Sequence, residues 1–173
     1  VIQSFGNVSA RARSEVLVIK PSGLDPRASR PEDMVEVDIH SGKVGASQLR
    51  PSSDTKTHIE LYRAFDQIGA VVHTHSRHAT AWAQACRPVP CLGTTHADFF
   101  QGDIPVTRSL TAEEVGSDYE RETGRVIVEC LGEMNVDPLS VPGILVAHHG
   151  PFIWGRDIEE AVRNAEAVEY VAE

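Results

Sequence analysis

The sequence is short of several things, and each shortage narrows what it can do. No apolar run approaches the ~20 residues needed to cross a bilayer, and no charged-then-apolar segment opens the chain, so no membrane partner is expected. The three cysteines, Cys86, Cys91 and Cys130, contain no C-x-x-C pair and are odd in number. That fits a reducing cytoplasm better than a disulfide framework, with each thiol a small buried hydrophobe. Basic residues are outnumbered, 16 Lys and Arg against 25 Asp and Glu, for a formal charge of −9. A broad nucleic-acid surface is thereby excluded, and any anionic substrate must be held by local groups against the overall field. There is no internal repeat, low-complexity tract or linker, so the 173 residues form one domain with a sizeable core. A starting Met is also missing, and Val1–Phe5 reads as the middle of a segment. The last helical pattern runs into Glu173 with no Gly, Asn or Pro to stop it. Further residues are expected at both ends.

What is present reads as strands and helices in irregular alternation. Phe5–Ser9 is turn-like, Val16–Ile19 a strand broken by Lys20-Pro21-Ser22-Gly23, and Pro31–Asp33 a single helical turn. Met34–Ile39 alternates as a strand and turns through Ser41-Gly42-Lys43 toward Val44. Ser52, Ser53 and Asp54 lead into a helix with an apolar stripe at Ile59, Leu61, Tyr62 and Phe65. Ala70–His75 is a strand, Ser76–Cys86 an Ala-rich helix, Thr94–Phe100 a loop and Ile104–Thr107 a short strand. Thr111 with Glu114, and Ser117 with Glu120, each match a capping box, predicting a short helix and a longer one. Gly143–His148 is a buried strand, and Ile158, Ala161, Val162, Ala165 and Val168 mark a final helix. The pattern is that of an α/β fold with a mixed sheet.

The chemistry concentrates around Ala70–Phe100. Strand alternation sends His73 and His75 to one side, spaced to share a divalent cation. A third imidazole can come from His148 or His149, which alternation places on opposite faces. Three neutral histidines leave a coordination position open, the catalytic rather than the structural arrangement for zinc. Asp54 can either add a carboxylate or cap its helix. Lys20, Ser22 and Gly23 in one turn, and Ser52 and Ser53 before a helix, offer a charge, hydroxyls and backbone N–H groups suited to phosphate. Asn7 can add a hydrogen bond. Asp98, in a loop after a glycine, is placed as an acid or base often is, although a lone loop Asp is usually only solvated. Glu120 is explained equally well by its capping box.

With these residues assembled, the chain resembles the L-ribulose-5-phosphate 4-epimerase branch of the class II aldolase/adducin-head family. The matching segments are GNVSA (6–10), VIKPSG (18–23), PSSDTKTH (51–58), VVHTHSRHATAWAQA (71–85), GTTHADFF (93–100), IPVTR (104–108), YERETGRVIVE (119–129) and HGPFIWG (149–155). They span nearly the whole chain. GTTHAD with HTHSRHAT resembles the epimerase branch, as does SSD at 52–54, where the fuculose-phosphate aldolases look like SSE.

The resemblance implies a single class II aldolase/adducin-head domain over residues 1–173, with a central, mainly antiparallel sheet flanked by helices. It assigns His73, His75 and His149 to zinc (manganese or cobalt being possible), with Asp54 near it. Asn7, Lys20, Ser22, Gly23, Ser52 and Ser53 match phosphate-binding positions, Asp98 the acid/base, and Thr94 and Glu120 residues near the site. It also implies a phosphorylated ketopentose substrate and a homotetramer with sites at subunit borders. A tyrosine from a neighbouring subunit's C-terminal region is the opposing acid/base in that family, and Tyr62, Tyr119 and Tyr170 do not match it. The implied reaction inverts C4 of L-ribulose 5-phosphate by breaking and remaking the C3–C4 bond. A sugar-phosphate aldolase would use the same parts, and a non-catalytic head domain would not need the three histidines.

Overall fold

Short β-branched runs assemble a six-stranded sheet in the computed structural model, which describes residues 6–25 and 27–173. Val1–Phe5, read above as the middle of a segment, lies outside the described residues. The strands are β1 (Asn7–Arg13), β2 (Val16–Ile19), β3 (Val35–Asp38), β4 (Ala70–His73), β5 (Gly143–Leu145) and β6 (Pro151–Gly155), in the order β3-β2-β1-β4-β6-β5. Among the described residues every ladder is antiparallel, and parallel pairing is confined to a bridge between Val106 and Leu145. The helices are α1 (Thr55–Ala64), α2 (Arg77–Gln84), α3 (Thr94–Phe99), α4 (Ala112–Gly116), α5 (Tyr119–Met134) and α6 (Ile158–Ala172). This is the α/β architecture with a central antiparallel sheet and flanking helices.

Alternation along β1 decides which helix covers which face. Val8 and Ala10 meet Val72 of β4 and Ala161 and Ala165 of α6. Asn7 and Ser9 point the other way, toward α1, where Ser9 reaches His58 and Tyr62. α5 packs on α1, whereas α2 and α3 pack on α6. Leu17, Ile19, Leu61, Val71, Ile127, Phe152 and Trp154 form a continuous buried core. Each such side chain contributes about 1.5–3 kcal/mol by leaving water. Trp154, fully buried, still satisfies its indole N–H by donating to the Pro138 carbonyl at 2.7 Å.

The structure departs from the sequence reading in several places. Of the turn expected at Phe5–Ser9, Phe5 lies outside the described residues, Gly6 sits at φ +90°, and Asn7–Ser9 belong to β1. Thr94–Phe99 is a helix rather than a loop. Ile104–Thr107 contributes isolated bridges from Ile104 to Val89 and from Val106 to Leu145. The Thr111–Glu114 capping box forms, but α5 starts one residue later than the second box requires, with Asp118 at the N-cap position and no side-chain capping bond, so the Ser117–Glu120 box does not. β4 and β5 stop at His73 and Leu145, short of the histidines that follow them.

Candidate metal centre and anion cradle

β4 delivers His73 to the α1 face of the sheet, 1% exposed, beside its register partner Asn7. Its Nδ1 lies 3.0 Å from the Pro151 carbonyl, which only accepts, so Nδ1 carries the proton and Nε2 presents a lone pair. That lone pair faces His75 Nε2 at 3.0 Å. Phe152 stacks on the other side of the His73 ring, with centroids 4.1 Å apart.

His149 reaches the pair because the chain reverses just before it. His148 sits at φ +65°, its N–H donates to the Ala83 carbonyl, and its ring turns outward to Cys86 and Ser109. His149 is thereby turned inward, its ring centroid 4.7 Å from that of His73 and 5.1 Å from that of His75. Gly150 makes this corner possible, since a Cβ there would lie 2.9 Å from the Thr74 carbonyl oxygen. One nitrogen from each of the three rings lies within 4.8 Å of the others.

Burial, reinforced by His149 and His75, holds the His73 pKa down at about 3. Burial also lowers that of His149, against the pull of the Asp54 carboxylate. Rings kept neutral, with at least one lone pair aimed at its neighbour, are poor company for each other and good ligands for a shared cation. The donor set therefore fits a divalent metal ion, with His73, His75 and His149 as its ligands.

Asp54 stands at the N-cap of α1, yet its side chain makes no capping bond. Instead Asn7 Nδ2 donates to Asp54 Oδ2 at 2.6 Å, holding the carboxylate over β1. One helical turn on, His58 Nδ1 meets Ser9 Oγ at 2.7 Å, and Ser9 Oγ meets Tyr62 Oη at 2.9 Å. The i, i+2 spacing of β1 thus matches the i, i+4 spacing of α1 in two polar rungs under the histidines. Burial pushes the His58 pKa down to about 3 and that of Tyr62 up.

Asn7, Lys20, Ser22, Gly23, Ser52, Ser53, Asp54, His75, Glu120 and His149 line one cleft of ≈ 290 Å³, together with Gly6 and Tyr119. His73 lies buried behind it. Two loops make the far wall, and each clasps the other: Ser22 N–H donates to the Arg50 carbonyl at 2.9 Å, and Ser52 N–H to the Lys20 carbonyl at 3.1 Å. The Ser22 and Ser52 amides are spent on this clasp, which corrects the expectation that they would face an anion. Their hydroxyls, the Lys20 ammonium and the N-terminus of α1 are the groups there whose chemistry suits an anion.

Thr94 and Asp98 are not brought to this cleft. Both are exposed on α3, which packs on α6 and so lies on the sheet face away from the histidines. Two lining residues were passed over in the sequence, Gly6 and Tyr119. The only hint of Tyr119 was its position beside Glu120 at a helix start.

The profile of the class II aldolase and adducin N-terminal domain family matches residues 1–173. The chain belongs to this family. An L-fuculose 1-phosphate aldolase shares 26% identity over 99% of this chain and 74% of its own, with a TM-score of 0.80. YgbL from Escherichia coli shares 25% over 99% of this chain and 78% of its own, with a TM-score of 0.75. The L-fuculose-1-phosphate aldolase of Thermus thermophilus, at 21% identity and a TM-score of 0.72 over 98% of this chain and 80% of its own, is a likeness of fold. Family and histidine cluster together make this a metal-dependent enzyme of the class II aldolase/epimerase type, whose triad suits a divalent ion. Among the described residues no helix is long and apolar enough to cross a membrane.

Proposed function

We propose that the protein is a zinc-dependent, cytoplasmic 4-epimerase that interconverts L-ribulose 5-phosphate and D-xylulose 5-phosphate. Its residues 1–173 would form one domain of a homotetramer. The observation that carries the reading is one cleft in which His75 and His149, backed by the buried His73, stand beside Lys20 and the Ser22, Ser52 and Ser53 hydroxyls, so that a phosphate and the reacting carbon atoms could be gripped together. In this substrate the C4 hydrogen is not α to the C2 carbonyl and is too weakly acidic to be removed simply. Breaking C3–C4 is the easier route: the C4 hydroxyl loses its proton to a base, and the electron pair of the bond moves into the C1–C3 fragment as an enediolate. A divalent ion on His73, His75 and His149, with Asp54 beside it, supplies Lewis acidity toward the substrate's oxygens when bound; manganese or cobalt would serve as zinc does.

The chain's own residues position and exchange protons. Lys20, Ser22, Gly23, Ser52 and Ser53 hold the phosphate, and Asn7 holds Asp54. Glycolaldehyde phosphate, tethered through its phosphate, turns its carbonyl and is attacked on the other face, re-forming C3–C4 with C4 inverted. One acid/base is needed on each face. Asp98 takes one of these roles, with Thr94 beside it. α3 lies across the sheet from its own histidines; in the proposed homotetramer Asp98 would therefore serve the cleft of a neighbouring subunit, with the sites at subunit borders. Glu120 lines the same cleft.

A sugar-phosphate aldolase is the second reading, favoured by the likeness to an L-fuculose 1-phosphate aldolase. A non-catalytic head domain, the third, has no use for three converging imidazoles. The test is to incubate the zinc-loaded protein with L-ribulose 5-phosphate and follow both D-xylulose 5-phosphate and free glycolaldehyde phosphate. Epimer without released fragments is expected. Release of fragments at the turnover rate with no epimer rejects the epimerase in favour of the aldolase.

A further inference from the structure

We propose that Tyr119 is a positioning residue for His149: its phenol oxygen accepts the ring's Nδ1–H and so presents Nε2 to the metal centre. The inference rests on the reading of His73, His75 and His149 as that centre.

Tyr119 Oη lies 3.3 Å from His149 Nδ1. A phenol can donate or accept, so the tautomer decides what the contact does. Were Tyr119 the donor, Nδ1 would hold a lone pair pointed away from the other histidines and the proton would sit on Nε2, inside the cluster. With Tyr119 as acceptor, the proton sits outside and the lone pair inside. His73 shows the same division of labour, its Nδ1–H given to the Pro151 carbonyl and its Nε2 turned to His75. The remote nitrogens of two of the three rings are thus tied to an oxygen, one from the backbone and one from a side chain. Such partners set ring angle and tautomer and strengthen the donor nitrogen.

The phenol is itself held firmly. Tyr119 is the first residue of α5, a 16-residue helix, and its carbonyl accepts from Thr123 Oγ1 at 2.8 Å. The next carbonyl, of Glu120, accepts from Thr57 Oγ1 of α1 at 2.6 Å. The oxygen is therefore carried by a rigid element pinned to the helix that brings Asp54, rather than by a mobile loop.

The experiment uses zinc alone as the probe, by competition with a chromophoric chelator, on wild type, Tyr119→Phe, His149→Ala and Tyr170→Phe, the last altering a tyrosine 68% exposed on α6. Folding of each variant is confirmed by its thermal transition. His149→Ala is expected to abolish stoichiometric zinc, and Tyr119→Phe to weaken it about tenfold or more. Tyr170→Phe should match wild type. The visible d–d spectrum of the cobalt-substituted protein should change in Tyr119→Phe and not in Tyr170→Phe. If Tyr119→Phe keeps wild-type zinc affinity and cobalt spectrum while His149→Ala loses the metal, the centre stands and the role of Tyr119 is refuted. If His149→Ala binds zinc as wild type does, centre and role fall together. A further measurement needs no Tyr119 variant: ¹⁵N ring shifts of His149 in the zinc-loaded protein, assigned by their loss in His149→Ala, should show the proton on Nδ1. A proton on Nε2 overturns the proposal.

Discussion

Two glycines of α5 should respond to the same substitution with opposite signs. Gly124 faces α1 with no room for a side chain: a Cβ there would stand 2.7 Å from Glu60 Cβ and 3.0 Å from the Thr57 carbonyl oxygen. Neither atom is the far end of a flexible side chain, so the helices themselves would have to part. Gly132, two turns on, is exposed, and a Cβ there would meet nothing within 4 Å. Alanine at either position gains ~1 kcal/mol of helix propensity. At Gly132 that gain stands alone. At Gly124 it is opposed by about 1–3 kcal/mol of overpacking, and the clash of the new Cβ with Glu60 Cβ and the Thr57 carbonyl, neither able to swing aside, puts the cost near the upper end. The expected outcomes are stabilisation by roughly 0.5–1 kcal/mol for Gly132→Ala and destabilisation by about 1–2 kcal/mol for Gly124→Ala. In thermal terms each kcal/mol corresponds to about 2–4 °C for a chain of this length. Urea denaturation gives the sharper measure, because a changed midpoint at constant m isolates stability from compactness. The α5 shift forced by Gly124→Ala should also loosen the Thr57–Glu120 bond at the cleft. If both variants move the midpoint in the same direction, the close-approach argument is wrong.

Other outcomes follow from the same geometry. Lys20→Met removes the ammonium from the cradle, and loss of a charge-assisted contact of about 1.5–3 kcal/mol should raise KM for a sugar phosphate roughly 10- to 100-fold. The unphosphorylated sugar should be handled no worse than by wild type, and an equal loss for both sugars would show that Lys20 does not hold phosphate. His58, with its folded pKa near 3 against an ordinary 6.5, favours folding fully above pH 6.5 and progressively less as pH falls toward 3, because the unfolded chain takes up the proton first. Between pH 7.5 and 5 that linkage is worth at most about 2 kcal/mol, and it should be absent from His58→Gln when urea midpoints are compared at the two values. Identical pH slopes in wild type and variant would contradict the burial of a neutral His58.

The metal centre was partly legible in the sequence, because local spacing bears on part of it. His73 and His75 converge as strand alternation suggests, although β4 ends before His75. The choice between His148 and His149 was closed to alternation because it depends on a left-handed φ at His148, a corner that only the packing of Gly150 beside Thr74 explains. Asp54 looked equally like a cap and a site residue, and the tie is broken by Asn7, 47 positions away in sequence. β1 was hidden behind a turn-like Gly-Asn pair, and β6 by the Pro and Gly at its ends. α3 is a six-residue helix with little apolar periodicity, so its polar sequence read as a loop. That misreading mattered, since only the helix's place against α6 shows Asp98 to be remote from its own histidines. Tyr119 was invisible for a plain reason: nothing in a helix-start tyrosine announces which imidazole will lie above it.

The interlocked backbones of the Lys20–Gly23 and Arg50–Ser53 segments constrain how this enzyme can change. Each segment is the other's template, so lengthening one by a residue would break amide bonds in both and displace the start of α1, and with it the carboxylate of Asp54. Selection or engineering toward a differently shaped anion therefore has side-chain exchange at Lys20, Ser22, Ser52 and Ser53 to work with, at constant loop length. New specificity in this cleft would be written in substitutions rather than insertions.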